Sequence, residues 1–441
     1  MIVILTDDQD VASLSVMRHV RDELAKEGTT FGNSFATVPE CCPSRVTLLT
    51  GQFAHNHGVL SNEPPDGGFD AFEDDNYLPI WLEQAGYRTG YIGKYLNGYG
   101  FVPLGNDPRY VPPGWTDWRV LTNHTEYQEY GYTLNENGDL RSYGDEPRDY
   151  QTDVVARKSA QFVRKSLADR HPFFVTVAPV APHDEGAFEN DPTAPRNPRP
   201  APRDAGRFSG RPLPRPPSFN EANVEDKPES TKRRPLLRGD EIRELTRLYR
   251  SRLESLLSVD DLVNRLVTVL RRNGALNRTM IVFTSDNGFL LGEHRRVGKE
   301  VVYEESVRVP LVIRGPGFPR GVTRRQLVGN VDLVPTILAL TGAEPGLTMD
   351  GVSLLPLARR PHARADRAML LEVLSGRTFS AIRTRRYVFS LNGEGVNELY
   401  DLERDPFELK NVARAPGYAE IKGRLRARLV RLRDCAGQDC R

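Results

Sequence analysis

The sequence predicts an α/β protein: a mixed, mostly parallel sheet sandwiched by helices, followed by a small C-terminal α+β subdomain. Two observations carry this. Short β-branched apolar runs alternate with helical patterns up to about residue 345, the order expected of strands buried under helices on both faces. Beyond about Arg367 the runs are short, closely spaced and closed by one helix. The division this implies is a large unit over 1–360 and a small one over 361–441. At 441 residues the chain can bury a large core, and 39% apolar with 27% charged residues is the composition of an ordinary globular enzyme. A net charge of +1 gives no global field toward nucleic acid or a membrane surface. No apolar run approaches the roughly 18–20 residues that cross a bilayer.

Met1 to Leu5 reads as a buried strand that delivers Asp7 and Asp8 at its end. Val11, Leu14, Met17, Val20 and Leu24 have helical spacing, with Gly28 as the stop. Thr30 to Val38 then leads into Cys41-Cys42-Pro43-Ser44-Arg45, where Pro43 suits a helix first turn over Ser44 to Thr50. Leu78 to Gly86 reads as a helix, and Tyr87 to Lys94 as a strand arriving at a lysine. Residues 99–150, rich in Gly, Tyr, Asn and Pro, read as loops and hairpins. A helix over about Asp153 to Leu167 precedes the strand Phe173 to Val177, which ends at Ala181-Pro182-His183.

Nine prolines fall between Pro192 and Pro217, within an irregular arginine-bearing stretch over about 186–238. It reads either as a solvated surface loop or as a basic rim that receives an anionic glycan. Glu241 to Arg272 is strongly helical, with a second start at Ser258 where Asp261 has capping-box spacing. Thr279 to Thr284 is the next buried strand, ending at Ser285-Asp286-Asn287-Gly288; Pro310 to Arg314 is another, and Asn330 to Gly342 a helix. In the tail, strands are expected at 368–373, 379–382, 387–391 and 398–401, with a last helix over Ala419 to Leu432.

Four strands therefore end in polar residues: Asp7-Asp8, Lys94, His183 and Asp286-Asn287. In open α/β sheets such ends converge on one edge, where ligands bind. Taken singly, Asp-Asp after a strand is a cap or turn, and Ser-Asp-Asn-Gly is a turn. Taken together they form an all-oxygen set suited to a hard cation, Ca²⁺ or Mg²⁺, and unsuited to zinc. Cys435 and Cys440 close a short segment that is either a disulfide staple in an oxidising compartment or a pair of thiols. Met1 runs straight into apolar residues with no export signal ahead of it, which means a cytoplasmic protein or a start lying upstream.

Residues 41–51 fit the pattern C-x-P-S-R-x-x-x-L-T-G at every fixed position, and the chain resembles the sulfatase family over nearly its whole length. The branch it is most similar to contains N-acetylglucosamine-6-sulfatase and the heparan endosulfatases. His55-Asn56-His57, Gly93-Lys94-Tyr95-Leu96-Asn97, Leu257 to Leu262 and Met349 to Pro356 carry that likeness. The resemblance implies an alkaline-phosphatase-like fold and a sulfuric ester hydrolase acting on a sulfated amino sugar, glycan or aryl sulfate. It implies that a formylglycine-generating enzyme converts Cys41 to formylglycine (3-oxoalanine), whose gem-diol attacks sulfur and later re-forms the aldehyde to expel sulfate. It further implies one Ca²⁺ on Asp7, Asp8, Cys41, Asp286 and Asn287, with Arg45 holding the formylglycine and Lys94, His183 and Lys299 around the sulfate.

In this reading His183 is the general acid on the departing oxygen, and His294, His55 and His57 are candidates for handling the sulfated intermediate. That gap arises because many sulfatases have a second histidine where this chain has Leu96. Two rivals stand beside this reading. One is a formylglycine-dependent phosphodiesterase or phosphonate monoester hydrolase; the other is a non-catalytic sulfoglycan-binding protein.

Overall fold

Ten strands make the main sheet of the computed structural model, which describes residues 1–122, 125–185, 197–363, 366–376 and 378–441. In chain order they are β1 (Ile2–Thr6), β2 (Thr29–Phe35), β3 (Arg88–Gly93), β4 (Asp117–Leu121), β5 (Thr133–Glu136), β6 (Asp139–Ser142), β7 (Phe173–Ala178), β8 (Ile281–Ser285), β9 (Leu311–Arg314) and β10 (Val322–Gly329). They lie side by side as β10-β2-β9-β8-β1-β7-β3-β4-β5-β6. The central run from β8 to β4 is parallel. β9 lies antiparallel between β8 and β2, and the β5–β6 hairpin closes the far edge.

Helices cover both faces, because β1, β7 and β8 are buried at every position and mostly apolar. Val3, Leu5, Phe174 and Val282 pack under α1 (Cys41–Thr50), through Cys42, Val46 and Leu49, and under a helix at Leu333–Thr341, through Val334 and Ile337. The alternate side chains Ile2, Ile4, Val175, Val177 and Phe283 meet α2 (Gln151–Ala168) and α3 (Gly239–Arg272). That face is closed by Val155, Phe162 and Val163 on α2 and by Leu256, Leu262 and Leu266 on α3. Register matters most for function. Thr6 pairs with Ser285 and Gly93 with Ala178, so Asp7, Asp286 and Lys94 each begin just past the end of a parallel strand on the same sheet edge.

The tail is an antiparallel meander, β11 (Met369–Val373), β12 (Phe379–Arg383), β13 (Tyr387–Asn392) and β14 (Glu398–Asp401). A helix at Ala419–Arg433 packs on it through Leu425, Leu429 and Leu432, and a Cys435–Cys440 disulfide follows. Ion pairs at least partly buried, among them Arg367–Asp332, His55–Glu372 and Arg383–Glu304, fasten the tail to the main body. Arg367 grips Asp332 with two 2.7 Å bonds, and His55 Nδ1 lies 3.0 Å from Glu372.

Several expected elements differ. The helix expected over 11–27 is two short irregular turns, Ala12–Val16 and Val20–Ala25. The Asp260 carboxylate accepts the His19 and Val20 amides and so starts the second turn anew. No second start exists at Ser258: α3 is continuous for 34 residues, and the Ser258 hydroxyl donates to the Ser255 carbonyl instead. β10 was not legible, because its first half is charged and its outer edge is unpaired. The start of the proline-rich stretch, 186–196, lies outside the described residues. From 197 on it is irregular apart from one helical turn at Glu229–Lys232, and it is not simply solvated: Leu213 is buried against Leu245, Tyr249 and Leu253 of α3, and Lys227 is fully enclosed. No helix among the described residues is long and apolar enough to cross a membrane.

Candidate active site

Asp7, Asp8, Cys41, Arg45, Lys94, Asp286 and Asn287 are all buried at one end of the sheet. The two strand ends meet directly: the Asp8 amide donates to Asp286 Oδ1 at 3.1 Å, and Asn287 Nδ2 to Asp8 Oδ1 at 2.6 Å. Asp8 turns the chain there with φ +64°, a left-handed conformation that Asp tolerates better than most residues. α1 brings its first residue, Cys41, to this point, with Sγ 3.3 Å from Asp7 Oδ1. The Ser44 hydroxyl donates to the Asp286 carbonyl and pins the helix start to β8.

Arg45 lies one turn further along the same helix face. Its guanidinium reaches Asp286 Oδ2 at 2.9 Å, Asp7 Oδ2 at 3.3 Å and the Lys94 carbonyl at 2.6 Å. Lys94 Nζ sits 2.5 Å from Asp7 Oδ2 and 4.3 Å over the Tyr127 ring. Lys299 Nζ contacts Asp8 Oδ1 at 2.5 Å and Cys41 Sγ at 2.8 Å, with Asn287 Oδ1 at 3.5 Å. His183 lies tilted against the Tyr127 ring with centroids 4.4 Å apart, holds Asp184 through Nδ1 at 2.9 Å and turns Nε2 toward Asp8 Oδ2 at 3.6 Å.

The electrostatics follow from burying three carboxylates with three cations. Burial works to raise the Asp7 carboxyl, yet Lys94, His183, Arg45 and Lys299 together hold it well below the usual range. Burial, seconded by Asp7, pushes the Cys41 thiol well up, so the unmodified side chain is a poor nucleophile. Burial alone would lower His183, but Asp8 and Asp7 carry it above its ordinary value.

A cation suits this place. Asp7, Asp8, Cys41 and His183 each bring a ligand atom within 4.8 Å of the others, and the Lys299 ammonium already lies among Asp8, Cys41 and Asn287. Both Asp286 oxygens are meanwhile occupied, one by backbone amides and one by Arg45.

Asp7, Asp8, Cys41, Arg45, Lys94, His183, Asp286, Asn287 and Lys299 come together as the sequence reading expects, whereas His294, His55 and His57 have partners elsewhere. His294 does not join the cluster. That side chain is fully buried elsewhere, bonded through Nδ1 to Glu221 at 2.7 Å and stacked on Tyr303 at 4.0 Å. His55 and His57 are engaged structurally, with Glu372 and with the Thr47 hydroxyl respectively, and burial pushes His57 down to about 3.

Three contributors had not been foreseen. Tyr127 comes from the loop-rich stretch and left no local signal. Asp184 is simply the neighbour of His183. Arg252 did leave a signal: it occupies the apolar stripe of α3 between Tyr249 and Leu256, is almost completely buried, and donates to the Asp8 and Pro182 carbonyls. Its guanidinium lies 4.2 Å over the Phe289 ring. It thus ties the turn after β1 to the turn before His183.

The family model described as Sulfatase matches residues 1–343, and that described as N-sulphoglucosamine sulphohydrolase, C-terminal, matches 292–435. Human N-acetylglucosamine-6-sulfatase is 31% identical over 487 aligned residues, covering 100% of this chain and 85% of the relative. Extracellular sulfatase Sulf-1 homologues of Caenorhabditis elegans and Drosophila melanogaster are 37% and 36% identical over 364 residues, 81% of this chain. The aligned part is 48% and 31% of their own lengths, so the chain spans half of those proteins or less. Among solved structures, BT4656 in complex with its substrate D-glucosamine-2-N,6-O-disulfate superposes with a TM-score of 0.80 at 25% identity, covering 98% of this chain and 96% of that one.

Proposed function

The chain belongs to the sulfatase family, the hydrolases of sulfate esters, and on that premise we propose that it removes sulfate from a sulfated amino sugar or a glycan carrying one. The observation that carries the proposal is the meeting of Cys41 with three buried carboxylates and three cations at a single sheet edge. The relatives named for N-acetylglucosamine-6-sulfatase support the amino-sugar assignment, as does the neighbour bound to a glucosamine disulfate.

The residues are proposed to act as follows. Asp7, Asp8, Asp286 and Asn287, with residue 41, would hold one Ca²⁺, the hard cation an oxygen-rich set prefers. When present, that ion would withdraw charge from sulfate oxygens, and formylglycine at position 41 would supply a hydrated aldehyde as nucleophile. Arg45 pairs with both Asp7 and Asp286 and fixes residue 41 against them through α1; it helps hold Asp7 well below the usual carboxylate range, while burial and Asp7 push Asp286 up against it. Lys299, in contact with residue 41, and Lys94, on the Asp7 carboxylate beside it, stabilise negative charge as the S–O bond breaks. His183, its Nδ1 held by Asp184, offers Nε2 to the departing alcohol oxygen. The masking of these charges from water by Tyr127 and the strand ends strengthens each interaction.

The phosphodiester and phosphonate alternatives share only the fold: the phosphonate monoester hydrolase of Agrobacterium radiobacter superposes at a TM-score of 0.74 but 23% identity. Matured protein is expected to hydrolyse nitrophenyl sulfate and 6-sulfated N-acetylglucosamine faster than nitrophenyl phosphodiesters. Preference for the diester would overturn the assignment. A thiol still present at residue 41 in active preparations would overturn the nucleophile.

A further inference from the structure

We propose that His294, Glu305 and Glu408 form a second metal site, for a divalent first-row transition ion such as Zn²⁺, which ties the C-terminal sheet to the segment that carries Lys299. The three residues come from separate places: His294 follows the short strand Leu290–Leu291, Glu305 lies in the single helical turn Glu304–Val307, and Glu408 lies beyond β14. Each brings a ligand atom within 4.8 Å of the other two.

Every one of the three is anchored through its other polar atom. His294 Nδ1 is held by Glu221 Oε2 at 2.7 Å, Glu305 Oε1 accepts from the Ser218 hydroxyl at 3.4 Å, and Glu408 Oε2 accepts the Glu304 amide at 2.9 Å. The remaining atoms, His294 Nε2, Glu305 Oε2 and Glu408 Oε1, are buried and have no hydrogen-bond partner. His294 and Glu408 are 0% and 1% exposed. With Nδ1–H donated to Glu221, His294 presents a lone pair at Nε2, and the two carboxylate oxygens present lone pairs as well. Three acceptors facing one another without a donor describe a place for a cation.

The donor chemistry points away from calcium. One imidazole nitrogen and two carboxylate oxygens are a common zinc set, with a fourth position left for water. The Glu221 carboxylate behind the imidazole is the outer partner that ligating histidines ordinarily have. The nearby Lys227 ammonium is already committed to the Tyr400 hydroxyl and to the Glu408 and Leu409 carbonyls. Without an ion the cluster sheds charge instead: burial pushes Glu305 up to about 8 and Glu408 well above its ordinary value, and pushes His294 down to about 3. Metal and protons are thus the competing occupants. Lys299 lies between His294 and Glu305 in sequence, so an ion there would clamp both ends of the segment that delivers it to Asp8 and Cys41.

The test uses the full chain after maturation, equilibrated with zinc chloride, desalted and analysed for metal by mass spectrometry. Wild type should retain a molar equivalent of zinc, Asp7→Asn should retain it too, and Glu408→Gln and His294→Gln should lose it at least tenfold. Zinc should also raise the wild-type Tm by about 3 °C, an effect absent in the Gln variants. Zinc-edge anomalous diffraction on wild type keeps the proposal testable if the variants do not fold: a peak among the three side chains supports it. Background zinc in wild type, loss in Asp7→Asn but not in the Gln variants, or an anomalous peak elsewhere would overturn it.

Discussion

Replacing Lys94 with Met keeps the aliphatic stem and removes one of the three cations around residue 41. The ammonium is almost fully buried and sits 2.5 Å from Asp7 and 4.3 Å over Tyr127. A unit charge about 4 Å from developing negative charge, at an effective dielectric near 20, is worth about 4 kcal/mol. Removing one preorganised donor from an oxyanion site costs about 10²–10³ in kcat, and the two magnitudes agree. The fold should survive, because Asp7 keeps Arg45 at 3.3 Å. The assay is kcat and KM on nitrophenyl sulfate, normalised to the fraction of residue 41 converted to formylglycine, a product about 18 Da lighter than cysteine. The expected result is a kcat lower by about 10²–10³ with KM little changed and Tm within a few degrees of wild type. Activity within about threefold of wild type at equal conversion would refute the role given to Lys94.

Cys41→Ala should abolish turnover with an unchanged Tm, whereas Cys42→Ser should stay active and lose about 1–3 kcal/mol of stability from burying a hydroxyl beside α1; the reverse pattern in activity assays would show the nucleophile to be the other cysteine. Arg252→Leu should leave the Asp8 and Pro182 carbonyls short of donors, costing about 2–4 kcal/mol by urea unfolding and about tenfold in kcat, with Arg252→Lys recovering part of both. His55 is lowered by burial but raised overall by Glu372, so its contribution is complete below the ordinary value of 6.5 and is lost as pH rises through the folded-state value. The Tm of wild type should therefore fall from pH 6 to 8.5 more than that of His55→Gln, and parallel curves would discount the pair.

Much of the site was readable because its residues sit at strand ends marked by local chemistry. An apolar run that stops at Asp-Asp, or at Ser-Asp-Asn-Gly, advertises both the strand and the place where polar groups leave it. The cysteine pattern added the helix that carries Cys41 and Arg45 four residues apart on one face. His294 shows where such reasoning fails. A histidine two residues after a glycine in a polar loop looks no different from a ligand for sulfate, and only burial against Glu221 and Tyr303 separates the two. The helix expected over residues 11–27 failed for a related reason: its apolar spacing was real, but a carboxylate from α3 offered its amides a better partner.

By itself, then, the chain of residues determined the strand–helix alternation, the family and the identity of nearly every charged group at the sheet edge, since these rest on periodicity and on short local patterns. Tertiary structure alone decided which strands are neighbours, that Thr6 and Ser285 lie level so that Asp7 meets Asp286, and that Tyr127 and Arg252 close the site from distant segments. The physical reason is that register and burial are set by packing summed over the whole sheet, which no window of sequence contains.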